Sequence, residues 1–155
     1  MLTTSALILS SGSGNSISPR SDKASIDGII FVDGRPYAVH MAISEQWKIW
    51  YLNAEMKTNA AKRAEEAEFM RTFDDRFGAR HRGALAELAA RIDLDYFTID
   101  CAETRQNELL IFEADNTCIV HNMDPPEIFP YKPPQMRKIF DAFAAMLVGR
   151  SGHDA

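Results

Sequence analysis

Apolar and polar residues alternate along some segments of the chain and recur at helical spacing along others. Ile29 to Val32 and Pro36 to Ile43 flank Asp33-Gly34, a strong turn signal, and are expected to pair as a hairpin. Period two puts Tyr37, Val39, Met41 and Ile43 on one face of the second strand and Ala38, His40 and Ala42 on the other. Asn59 to Phe73 has a helical pattern with a charged face of Lys62, Arg63, Glu65 and Glu66. Asp74 or Asp75 is expected to cap a second helix running to Ile92, with Leu85, Leu88, Ala89 and Ile92 at helical spacing. Trp47, Trp50 and Tyr51 fall in a segment that fits neither period. A second alternating pair follows, FTIDCAE (97–103) and LLIFEAD (109–115), separated by the turn-rich TRQNE. After a Pro-rich loop from Asp124 to Pro134, the last helix is expected to bury Met136, Ile139, Phe140, Phe143 and Leu147. These elements predict an α+β fold: an antiparallel sheet with helices packed on one face.

Chemistry enters with the second hairpin. Thr98, Asp100 and Ala102 share one face of its first strand, and Ile111, Glu113 and Asp115 share one face of its second. Phe97, Ile99, Cys101, Leu110, Phe112 and Ala114 fall on the opposite, core side. Closing the hairpin sets Asp100 opposite or diagonal to Glu113, with Asp115 one step further. Like charges facing each other across a ladder are destabilising. A hard divalent cation between them would relieve the repulsion, Mg²⁺ before Ca²⁺, because the donors are all oxygens. The plain alternative is a solvated sheet face, where exposed acids are ordinary. Glu113-Ala114-Asp115 ends an apolar strand with two oxygen ligands pointing one way, and Asn116 offers a third, which favours the metal.

The run FTIDCAETRQNELLIFEADNT resembles the metal-binding end of the ATP-grasp fold: an Asp on one strand, a turn, then Glu-x-Asn closing the next. FVDGRPYAVHMAIS, AKRAEEAEFM and IVHNMDPPEIFPYKPPQMRKIFDAF are similar to the C-terminal lobe of bacterial ATP-grasp proteins, some of them fused to tetratricopeptide repeats. The resemblance spans Asp27 to Leu147, and Asp115 stands where the family usually has Asn. It implies Mg²⁺ (or Mn²⁺) held by Asp100, Glu113, Asp115 and Asn116, with the first three also serving the ATP phosphates. It further implies ligation of a carboxylate to an amine or thiol through an acyl phosphate. Such enzymes close two lobes on the nucleotide, and 155 residues allow one domain. The chain therefore reads as one lobe, inactive alone and completed by a second chain, a homodimer partner or a missing lobe. A non-catalytic binding or interaction module that keeps the fold is the alternative.

Composition narrows the rest. A hydrophobic share of 46% with nine Phe supplies a core for one domain. The formal net charge of -5 argues against a nucleic-acid surface. No apolar run approaches the ~20 residues that span a bilayer, and the first ten residues carry no basic stretch of a secretory signal. Cys101 and Cys118 make no disulfide framework, as expected of reduced thiols in a cytoplasmic protein. The domain is expected over 27–150, after a flexible Ser/Gly-rich segment 1–26 and before a tail 151–155. SGSGN lacks the strand and helix that give a phosphate loop its geometry. Among single residues, His40 is read as an ordinary surface histidine before a substrate contact. Arg35 is read as a solvated turn residue, and Lys132 as a snorkelling lysine before a phosphate ligand. His121 fits a partner of the metal motif and a satisfied loop residue equally well.

Overall fold

The computed structural model describes residues 7–9, 24–44, 55–120 and 122–151. The Trp47–Tyr51 segment, His121, most of 1–26 and nearly all of 151–155 lie outside the described residues. Among the described residues five antiparallel strands make one sheet in the order β1-β5-β4-β2-β3: β1 (Leu7–Leu9), β2 (Ala24–Val32), β3 (Arg35–Ser44), β4 (Tyr96–Glu103) and β5 (Leu109–Asp115). The helices are α1 (Ala60–Thr72), α2 (Arg82–Ile92) and α3 (Lys132–Ser151). The α+β class and the antiparallel sheet are thus as the pattern predicts. β1 pairs with β5, and β2 begins three residues ahead of the expected domain start.

Turn chemistry sets the hairpins. Asp33 and Gly34 both have positive φ, 51° and 75°, which a two-residue turn between twisted strands requires. The turn is held from outside: Asp33 N donates to Asp95 O, and Arg150 bridges the Asp33 and Asp95 carboxylates. The Thr104–Glu108 turn closes through Thr104 N to Glu108 O at 2.9 Å, with Asn107 left-handed.

Strict alternation fails at two β-bulges. Gly28 faces His40 but Ile29 faces Ala38, so Val39 is the extra residue on β3. Asp100 faces Glu113 but Cys101 faces Ile111, so Phe112 is the extra residue on β5. An extra residue reverses the side-chain sense beyond it. Tyr37 therefore shares a face with His40 and Ala42, not with Met41 and Ile43. Ile111 joins Cys101 on the core side, not Glu113 and Asp115. Leu109 and Ile111 are buried accordingly.

Helices cover parts of both faces rather than one. On the first face Phe31 and Phe97 stack with ring centroids 4.4 Å apart. Pro36, which pairs with Phe31, lines a cavity there together with Phe73 and Leu85. On the second face Val32 pairs with Tyr96, whose ring meets Phe143 of α3 edge-on at 5.4 Å. Each large side chain fully removed from water contributes about 1.5–3 kcal/mol. The Phe31, Phe97, Ile29, Ile30, Ile99 and Leu109 set is the centre of that core.

Two helical expectations change. Asn59 caps α1, its Oδ1 accepting from Ala61 N and Lys62 N. Neither Asp74 nor Asp75 caps α2, however: Asp74–Gly78 continue from α1 as a π-helical turn, and α2 starts after His81. The cause is aromatic packing, since Phe69, Phe73 and Phe77 sit 5.6–5.7 Å apart and keep the chain coiled. In α3, Met136 and Ile139 are buried, and Ala142 and Met146 continue their stripe. Phe140 is 39% exposed and Leu147 52%, so the expected stripe is turned about the helix axis.

One edge of the sheet is closed by charge. Glu66 of α1, with no exposed surface, accepts from Met41 N on edge strand β3 and from the Tyr131 hydroxyl. Lys132 Nζ lies 3.3 Å from Glu66 and 2.9 Å from Asp124. Lys132 is therefore a buried ion-pair partner and not a snorkelling lysine.

Candidate functional site

The bulges align four residues across the sheet. Reading from β3 through β2 and β4 to β5, the row is His40, Gly28, Asp100 and Glu113. Gly28 is the reason the row can close. A Cβ built on it would lie 2.3 Å from His40 Cε1 and 2.5 Å from Nδ1, so the imidazole lies flat over the β2 backbone. From that seat His40 Nε2 is 3.9 Å from Asp100 Oδ1, an ion-pair distance beyond hydrogen bonding. A glycine inside an apolar strand signals such a close approach. Gly28 is thus the sequence signal for His40, which sequence reasoning set aside as a surface residue.

Of the two expected arrangements, opposite or diagonal, the bulge at Phe112 selects the first: Asp100 and Glu113 face each other directly. Burial raises the Asp100 carboxyl above its usual range, and the Glu113 carboxylate opposite raises it further. Asp115 lies on the same face one pair along, across from Thr98. Its Oδ1 turns along the chain instead, accepting from Thr117 N at 2.7 Å and Thr117 Oγ1 at 2.8 Å. The backbone N–H of Thr117 first, and then its hydroxyl, hold the Asp115 carboxyl below the usual range. Asn116 is exposed in the turn beyond β5. The structure therefore brings Asp100 and Glu113 together with His40 and leaves Asp115 and Asn116 beside them. Among the described residues, no three His, Cys, Asp or Glu side chains converge as a ready metal cage. Two opposed carboxylates nevertheless suit Mg²⁺, which commonly takes one or two and keeps several waters. For Asp115 to join them, it must release Thr117.

Cys101 faces the core as expected, its Sγ donating to Asp27 O at 3.3 Å, and both cysteines are free thiols. Arg35 is a solvent-exposed turn residue 3.7 Å from Asp74, also as expected. No helix among the described residues is long and apolar enough to cross a membrane. No protein-family model, curated protein or solved structure matches the chain.

The role of Gly28 has a direct test. Gly28→Ala is expected to displace the His40 ring and cost on the order of 1 kcal/mol in a urea melt, at the low end for an overpacked site because a ring can swing aside. In a His40→Ala background the same change should be neutral. An equal cost in both backgrounds would place the strain in the β2 backbone instead.

Proposed function

We propose that the His40–Asp100–Glu113 face is the Mg²⁺-binding half of an ATP-grasp-type site. In this reading Asp100 and Glu113 hold the ion, and Asp115 joins on release of Thr117. Bound there, the ion would supply charge neutralisation to the nucleotide phosphates in carboxylate–amine or carboxylate–thiol ligation. A second lobe, from a partner chain or another copy, supplies the remaining contacts to ATP. The observation that carries the reading is the direct opposition of Asp100 and Glu113 across β4 and β5. An uncompensated pair of carboxylates is destabilising in a sheet, and a divalent ion reverses the sign of that interaction. His40 at 3.9 Å supplies part of the compensation when it is protonated.

The test is a melt with and without metal. Mg²⁺ or Mn²⁺ is expected to raise stability by ~2.7 kcal/mol at a hundredfold excess over the dissociation constant. Glu113→Gln should remove most of that gain while the protein stays folded. A metal response unchanged in Glu113→Gln would place the ion elsewhere. The isolated chain offers one side of a cleft, so Mg²⁺–ATP should bind only in the millimolar range, about 4 kcal/mol, without turnover.

The exposed apolar residues of α3, Phe140, Leu147 and Val148, favour a second reading, a non-catalytic module that docks a protein. A metal response with no nucleotide binding at any concentration would select it.

A further inference from the structure

On the face of the sheet opposite the acidic row, a cleft of about 490 Å³ opens between β2, β3, β4 and the α1 region. Its floor is Asp27, 3% exposed, and Asp27 Oδ1 is buried with no hydrogen-bond partner. A buried polar atom without a partner is destabilising, and a charged one more so. The basic side chains around the cleft already have partners. Arg80 and His81 both bind Glu103, the latter at 3.0 Å, and Arg76 binds Glu68 at 3.2 Å. The carboxylate of Glu65, on the α1 wall, adds to the field on Asp27 together with Glu103 and, through the sheet, Asp100. Acid therefore exceeds base in this cleft, and the deepest acid has an unused oxygen. An anionic ligand would face the Glu65, Glu68 and Glu103 carboxylates as well as the Asp27 carboxyl, whereas a cation would complete Asp27. Phe69, Phe77, Met41 and Ile43 make the remaining wall apolar.

We propose that this cleft is a binding site for a small alkylammonium ion, its charged nitrogen on Asp27 and its hydrocarbon chain along Phe69, Phe77 and Met41. A compact ammonium presents three donors and no acceptor, which suits a carboxylate with a free oxygen and a carboxylate-rich rim. A bare metal ion suits it less, because the other carboxylates near the floor are committed to Arg80, His81 and Arg76. The site is separate from the proposed metal site, since Asp27 and Gly28 are consecutive and project to opposite faces.

Titration of the full chain with n-pentylammonium chloride at pH 8.5, with EDTA and without nucleotide, tests the proposal apart from the metal reading. Saturable binding is expected, with amide shifts at Met41 and Phe69. Asp27→Asn should weaken it at least tenfold and Glu65→Gln severalfold, while 1-pentanol at matched concentration should not bind. Equal binding of pentanol and pentylammonium would overturn the proposal. So would an affinity unchanged in both variants, and Glu65→Gln keeps that comparison open should Asp27→Asn fold poorly.

Discussion

Asp27→Asn is expected to stabilise the protein strongly at pH 8.5 and to change it little near pH 4. Burial first, then the carboxylates of Glu103, Asp100 and Glu65, push the Asp27 carboxyl from 3.8 up to about 8. The folded chain therefore keeps this proton until about pH 8, whereas the unfolded chain loses it near pH 4. Between those values unfolding releases a proton, so stability must fall as pH rises. Each unit of separation corresponds to about 1.4 kcal/mol, and the fall attributable to Asp27 is on the order of 5 kcal/mol. Asn carries no titrating group and removes that slope. Glu103, His81, Arg80 and Asp100 are common to both proteins, so the difference between wild-type and variant urea midpoints at pH 4, 6 and 8.5 isolates Asp27. Parallel midpoints across that range would show that Asp27 is ionised in the folded protein and finds compensation.

A buried acid of this kind is hard to foresee from a strand sequence. Asp27 stands next to Gly28 at the start of an apolar run, and such a residue is ordinarily the last polar position before the core. Which face it takes depends on the register of β2 against β4, where Asp27 pairs with Cys101. The register of the second hairpin, by contrast, was legible up to its bulge. Its five-residue turn sets Asp100 opposite or diagonal to Glu113, but the register leaving the turn carries Asp100 onto Phe112, and only the bulge at Phe112 makes the opposition with Glu113 direct. The bulges were not legible, because Val39 and Phe112 are good strand residues that carry no mark of being extra. Every face assignment on the far side of a bulge was reversed for that reason. His40 is the functional consequence: its place beside Asp100 depends on Gly28 opposite it, a pairing that period two does not contain. The direction of Asp115 was equally hidden, since Thr117 captures Oδ1 only once the strand ends and the chain turns.

Lys132→Met is expected to be among the most destabilising single changes in the chain, about 3–5 kcal/mol, since it strips the cation from a fully buried carboxylate. Glu66 would keep the Met41 amide and the Tyr131 hydroxyl but lose its counter-charge. Glu66→Gln in the same chain should recover much of the loss, because an amide oxygen still accepts those two bonds and leaves only the partly exposed Asp124 without its cation. A double-mutant cycle on urea melts measures that coupling. A cost below ~1 kcal/mol for Lys132→Met, with no coupling to position 66, would mean that Asp124 and water hold the lysine at the surface. The effect should also reach the candidate site. Met41 follows His40 on β3, and its amide is pinned by Glu66 on an edge that no other strand covers among the described residues. With Glu66 uncompensated, that pin is held less firmly beside the Val39 bulge, and so is the seat of the His40 ring over Gly28. Imidazole resonances of His40 should then broaden or shift in Lys132→Met and return in the double variant. A His40 signal that stays fixed while the protein loses stability would separate the charged edge from the acidic row and confine its role to folding.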